Sequence, residues 1–131
     1  MNAMVLSHIY LAATILLSVY SQMVIKWRIA THFPHLGEIE CLGEKLHLFL
    51  RILLDPFIMS GLAATFASGL CWMLVMSRLE ISYAYPFTSL GFVLVLALSW
   101  LLLGEPFGLA KIIGTLLIVA GVVVVSQGCV R

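Results

Sequence analysis

Two short constellations in this chain set polar groups at helical spacing inside otherwise apolar sequence. In the first, Thr14, Ser18, Ser21 and Gln22 recur at intervals of three and four. That spacing lines their side chains along one helical face, where they look for a partner helix or a wet cavity. In the second, Tyr83, Tyr85, Thr88 and Ser89 surround Pro86. Proline withholds a backbone donor and kinks a helix, so a freed carbonyl and several hydroxyls form a polar patch. Interrupted helices of this kind line binding sites within membranes. The chemistry on offer is hydrogen bonding. Hydroxyls and amides hold no exchangeable charge near neutral pH.

Other chemistries find little support. His32 and His35 form an HxxH beside Pro34, but one spaced pair supplies too few ligands for a metal. Cys41, Cys71 and Cys129 are widely separated and make no CxxC, which argues against a zinc or redox site. Cys71 sits within an apolar run, where a thiol behaves as a small hydrophobe. No nucleophile–base pair is recognisable, so neither an enzyme nor a cofactor is expected. A net charge of +1 gives no reason to expect nucleic-acid binding.

The elements that must position these groups follow from where charge is missing. No Asp, Glu, Lys or Arg lies between Ile9 and Ile25, Phe57 and Ser77, Ile81 and Leu103, or Ile112 and Gln127. Apolar runs of about this length cross a ~30 Å hydrocarbon core as helices. With 63% hydrophobic and 10% charged residues among 131, the chain is far from a soluble composition. It is expected to form one domain over residues 1–131. The first run has no preceding basic region and no convincing cleavage site, so it reads as a retained span. The expected fold class is therefore an all-α membrane protein with four transmembrane helices.

The spans differ in character. The first runs from about Ser7 to Lys26 and carries the polar face. A longer connection, Arg28 to Pro56, follows. In its second half Glu40, Glu44, His47 and Arg51 face one side, and Leu42, Leu46, Phe49, Leu50 and Leu53 the other. That pattern predicts an amphipathic interfacial helix between the first and second spans. Asp55-Pro56 marks the next helix start. The second span, Phe57 to Met76, holds Gly61, Ala63, Ala64, Ala67, Ser68 and Gly69, small residues that permit close backbone approach. The short turn Ser77-Arg78-Leu79-Glu80 forces the third span to pack antiparallel beside it. After Gly104-Glu105-Pro106-Phe107, the last span sets Gly114, Gly121 and Gly128 nearly on one line, a candidate dimer interface. Lys26, Arg28, Lys45, Arg51 and Lys111 fall on one side, and Arg78 and Arg131 on the other. Positive-inside counting then puts both termini outside.

Leu102-Leu103-Gly104-Glu105-Pro106 followed by the run Gly114 to Val122 resembles the drug/metabolite transporter superfamily, and four spans narrow this to small multidrug resistance-like members. In the cation-exporting relatives the first span carries a glutamate that binds proton and substrate; Ser18 stands at that position here. A branch closer in pattern is the paired small subunits of the undecaprenyl-phosphate-aminoarabinose flippase. Ser18, Gln22 and Lys26 resemble its first span, and Tyr83-Ala84-Tyr85-Pro86, Ser89-Leu90, Asp55 and Trp72 resemble it elsewhere.

The resemblance implies translocation of a polyprenyl-phosphate-linked sugar or similar amphipathic metabolite across a bacterial inner membrane. Such a substrate needs a polar groove open to lipid. It would place Lys26 on the phosphate, Ser18, Gln22, Tyr85, Thr88 and Ser89 on sugar hydroxyls, and the rings of Trp72, Tyr83 and Tyr85 against the sugar. Lys26 also reads as a cation snorkelling from a span end. The partners expected are membrane lipids and a second copy or a similar small subunit. Two other functions fit the same sequence: a divergent exporter of small cations or metabolites, and a non-transporting accessory subunit of a membrane glycosyltransferase.

Overall fold

Asp55 caps the helix that starts at Pro56. Its backbone is extended, and its carboxylate accepts hydrogen bonds from the N–H groups of Phe57 and Ile58. Pro56 then occupies the first turn, where a missing N–H leaves nothing unpaired. The computed structural model describes residues 3–34, 41–106 and 108–128. Its helices are α1 (Ala3–His32), α2 (Leu42–Leu53), α3 (Pro56–Met76), α4 (Ile81–Thr88), α5 (Leu90–Leu103) and α6 (Leu109–Gly128). Among the described residues there is no strand. His35, Glu40, Phe107, Cys129 and Arg131 lie outside the described residues.

Three segments are long and apolar enough to cross a membrane: Met4–His32, Pro56–Met76 and Ile81–Leu103; Leu109–Val125 is apolar but shorter. The first helix outruns its expected end near Lys26. Its 30 residues span about 45 Å at 1.5 Å per residue, more than a ~30 Å hydrocarbon core. The third segment is interrupted. Pro86 lies inside α4 and has no N–H to offer the carbonyl of Ser82. The break itself falls three residues later. Ser89 N–H reaches Pro86 O at 3.2 Å and Phe92 N–H reaches Ser89 O at 3.0 Å, both i→i+3 bonds that tighten the backbone.

The main seam joins α1 to α3. Gly61, Ala64 and Ser68 are buried, whereas Ala63 and Gly69 are exposed, so the small residues of this span divide between two faces. At Gly61 the approach is close: an added Cβ would lie 2.9 Å from Ile25 Cγ1 and 3.5 Å from the Ser21 carbonyl oxygen. Ser68 Oγ donates to the Thr14 carbonyl at 2.9 Å, and Ser21 and Thr65 share a hydrogen bond. At the other end Leu11, Val75 and Ala84 form a small core, with Trp72, Leu79 and Phe87 packed on it. Gly91 brings α5 against Ile15 of α1, 3.7 Å from where a Cβ would stand.

The remaining faces are open. On α6, Ile112, Thr115, Val119 and Val122 are half-buried, and the helix packs on α4 and α5. A Cβ added at Gly114, Gly121 or Gly128 would meet nothing within 4 Å. On α2, Leu42, Leu46, Phe49 and Leu50 are all exposed, while Ile52 is buried.

The α1–α3 seam yields a direct test. Gly61→Leu should destabilise the protein by about 1–3 kcal/mol, the usual cost of overpacking a close contact, and Gly61→Ala by less. Trimming the opposing side chain, in Gly61→Ala with Ile25→Ala, should recover part of the loss. Denaturation of purified protein in detergent reads the order directly.

Candidate functional site

The polar face of α1 divides in use. Ser21 turns to α3, the Thr14 carbonyl meets α3 while its side chain joins the cavity wall, and Ser18 and Gln22 turn to that cavity of about 230 Å³, lined also by Ser68, Trp72, Thr88, Gly91, Phe92 and Val95. Gln22 Nε2 donates to Ser18 Oγ at 3.3 Å, so these two are already joined one turn apart. Trp72 is held in place by Tyr85, whose ring meets it edge to face at 5.3 Å and 88°. Thr88 Oγ1 donates to the Tyr85 carbonyl at 2.6 Å, and Ser89 Oγ donates to the Pro86 carbonyl. The hydroxyls thus partly cover the carbonyls around the proline break. Every ligand-facing polar group here is uncharged, so the cavity can exchange hydrogen bonds but cannot hold a counter-ion.

Charge begins at the end of the same groove. Phe92 and Val95 also line an adjoining hollow of about 390 Å³, which continues past Ser99 to Lys26, Glu105, Lys111 and Thr115. Thr88, Phe92, Val95 and Ser99 follow one another at helical spacing, so a single face of α4 and α5 runs from the polar cavity to the charged end. Lys26 Nζ pairs with Glu105 Oε1. The carboxylate is set there by the end of α5. Gly104 takes a left-handed conformation (φ 64°), one that glycine adopts without a Cβ penalty. Its N–H bonds to the Ser99 carbonyl, and Glu105 N–H reaches the same oxygen at 3.3 Å, which closes the helix on a left-handed glycine. Lys111 Nζ donates to the Pro106 carbonyl at 3.3 Å. The Lys26 hydrogen bond holds the Glu105 carboxyl below its usual range, and Lys111 adds to this.

A second ion pair is structural. Arg28 grips Asp55 in a fork, with Nε 3.0 Å from both carboxylate oxygens and Nη2 2.9 Å from Oδ2. Its guanidinium also lies 4.8 Å above the Phe57 ring, a stacked arrangement that suits arginine. The far end of α1 is thereby tied to the start of α3. Arg28's hydrogen bonds hold the Asp55 carboxyl below its usual value, assisted by the Phe57 and Ile58 N–H groups and opposed by burial.

The structure brings Ser18, Gln22, Trp72 and Thr88 together around one cavity. Lys26 lines the adjoining hollow. Tyr85 stands behind Trp72, and Ser89 bonds its own helix. Tyr83 is further away, against His8 and Phe87: its hydroxyl is 3.3 Å from His8 Nε2 and its ring 5.0 Å from Phe87. Thr14, part of the polar face expected from the sequence, also lines the cavity, whereas sequence reasoning missed Glu105, Lys111 and Ser68 as lining groups. Glu105 and Lys111 read as ordinary loop and span-end charges, and only the fold shows that they converge on Lys26. Among the described residues no group of three or more His, Cys, Asp or Glu is placed to hold a metal ion.

A helical bundle with apolar spans and a polar groove has the make-up of a membrane transporter, and the comparisons agree. The EamA-like transporter family matches residues 1–127, and the chain belongs to that family. It is thus a multi-pass membrane protein of a transporter family, not an enzyme. It is 32% identical over 114 residues to the probable 4-amino-4-deoxy-L-arabinose-phosphoundecaprenol flippase subunit ArnF of Sodalis glossinidius, covering 80% of this chain and 78% of that protein. It is 36% identical over 107 residues to the ArnF counterpart of Erwinia tasmaniensis, covering 80% and 82%. With the ArnE subunit of the same named flippase from Pseudomonas aeruginosa it shares 39% identity over 73 residues, 56% of this chain and 64% of that protein. No solved structure matches the chain.

The Arg28–Asp55 pair carries a pH signature. A carboxyl whose folded pKa is depressed contributes stability that is full above its unfolded pKa of about 3.9 and is lost as pH falls through the folded value. The gap in melting temperature between the native protein and Asp55→Asn should therefore stay constant from pH 8 to 5 and close below about pH 4. A gap independent of pH would assign the whole effect of Asp55 to helix capping.

Proposed function

We propose that the chain is one half of a two-chain flippase that moves a polyprenyl-phosphate-linked sugar across the bacterial inner membrane. The observation that carries this reading is the groove: uncharged hydrogen-bonding groups in mid-span lead along one face of α4 and α5 to a charged end. The relatives named as subunits of a flippase for a phosphoundecaprenol-linked sugar support the substrate class. On this reading α6 is a fourth span, residues 1–131 form a single four-span domain, and α2 lies at the membrane interface with its uncovered leucines in lipid.

Each part of the substrate then has a match. Lys26 meets the phosphate as a point charge. Ser18, Gln22 and Thr88 hydrogen-bond sugar hydroxyls, with Tyr85 and Ser89 added as the α4–α5 break opens. The ring of Trp72, backed by Tyr85, offers an apolar face to the sugar, whereas Tyr83 stands outside the cavity against His8 and Phe87. The polyprenyl chain stays in lipid beside the open groove. The polar cavity of about 230 Å³ and the adjoining hollow of about 390 Å³ lie on the surface of one chain, and we assign the facing wall to a second chain. Gly114, Gly121 and Gly128 supply a face for that chain, since none of them touches its own protomer closely and small residues let helices approach.

The absence of a carboxylate from the span interiors speaks against the proton-coupled cation exporters, which need an exchangeable charge in mid-membrane. The flippase reading predicts that Lys26→Ala lowers flipping of a fluorescent prenyl-phosphate sugar in liposomes at least tenfold, while Lys45→Ala, a span-flanking lysine on α2, changes it less than twofold. Lys26→Arg should restore part of the rate, because the positive charge remains. Equal losses in the two alanine variants would overturn the phosphate role. For the subunit contact, Gly121→Leu should abolish crosslinked dimers in membranes and leave insertion intact. Undiminished dimers would remove α6 from the interface.

A further inference from the structure

Lys26 and Glu105 are each other's counter-ion at the head of the groove, yet little in their setting makes the pair structural. Their side chains are 51% and 33% exposed, and exposed ion pairs of this type add little to stability. The Arg28–Asp55 pair differs on both counts, being forked and only 16% and 10% exposed. The Glu105 carboxylate is also placed with more care than a chance surface contact needs. The left-handed Gly104 and the two backbone N–H groups that share the Ser99 carbonyl set where the chain carries Glu105, and Lys111 stands near enough to act on it.

We propose that this ion pair is exchanged on substrate binding: the phosphate takes Lys26, and Glu105 takes a positively charged amine on the sugar. The inference rests on the reading of Lys26 as the phosphate contact and adds Glu105 as the group that reads the amine. A ring that separates a phosphate from an ammonium group can sit between the two side chains once they part. Each freed partner then meets a new counter-ion, and the cluster's total charge is unchanged. A neutral sugar on the same phosphate would instead strand Glu105 with Lys111 as its remaining cation. The relatives are named for an amino-deoxy sugar, which is the chemistry such a pair would recognise.

The test uses the full chain in phosphatidylcholine nanodiscs and two probes: a farnesyl phosphodiester of an aminopentose, and the same molecule with hydroxyl in place of amine. The native protein should bind the amine form about tenfold more tightly, as one charge-assisted hydrogen bond provides. Glu105→Gln should abolish that preference, and Glu105→Asp should keep part of it. Lys26→Ala should weaken both probes by a similar factor and leave the preference in place. Inorganic phosphate should compete poorly, which separates a lipid headgroup from free phosphate as the source. A preference that survives in Glu105→Gln, or none in the native protein, overturns the exchange while leaving the phosphate contact standing. Unchanged affinities for both probes in Lys26→Ala overturn the phosphate contact and the exchange with it. Displacement by inorganic phosphate at equal concentration overturns the lipid assignment.

Discussion

The close approach of α1 to α3 at Gly61 governs what the rest of the chain can do. With no Cβ at Gly61, Ile25 and the Ser21 backbone come within contact of the α3 backbone, and Ser68 can reach the Thr14 carbonyl. That seam fixes the rotation of α1 about its own axis. Once Ser21 and the Thr14 carbonyl face α3, residues further round the helix must face elsewhere, and Ser18, Gln22 and Lys26 turn toward α5. The polar groove is therefore a consequence of where the two backbones touch. The Arg28–Asp55 fork locks the same relationship just beyond Gly61, where α1 ends and α3 begins, so both the lateral rotation and the vertical register of α1 are set before any substrate group is considered.

Much of this was legible in the sequence because membranes impose simple rules. Backbone groups must be satisfied within each span, so charge-free runs announced helices, and the Asp55-Pro56 pair announced a start that the N-cap geometry repeats. Small residues announced a close seam, though not which of them would form it. Gly61, Ala64 and Ser68 face α1, while Gly69 faces away, and composition cannot tell these apart without the partner helix. Pro86 announced a break but not its place. The break falls three residues on, where Ser89 can satisfy the Pro86 carbonyl from its own side chain and backbone.

The convergence of Lys26, Glu105 and Lys111 was not legible, for a different reason. Lys26 and Glu105 are 79 positions apart, and no periodicity spans that distance. Their meeting depends on the antiparallel return of two helices and on one left-handed glycine at the end of α5. The sequence did contain the signal, in Gly104-Glu105-Pro106, but it reads as a turn until the fold shows what the turn is aimed at. The same holds for Arg28 and Asp55, which looked like the two ends of a long connection and prove to be a single contact.

A transporter of this size faces a conflict between holding a charged headgroup and letting it go. A carboxylate or a buried cation in mid-span would bind an opposite charge strongly, because low dielectric magnifies Coulomb attraction, and the same strength would slow release. In this chain the charges sit at one end, partly exposed, where water and salt weaken them. The middle of the groove offers only hydroxyls and an amide. These can follow a moving sugar by exchanging one hydrogen bond for the next, each of modest net strength. On the proposed reading, affinity is concentrated where the headgroup enters, and the path beyond it is kept shallow. The open apolar surface of α4, α5 and α6 then serves the second requirement, since a polyprenyl tail that never leaves lipid needs no binding site along the way.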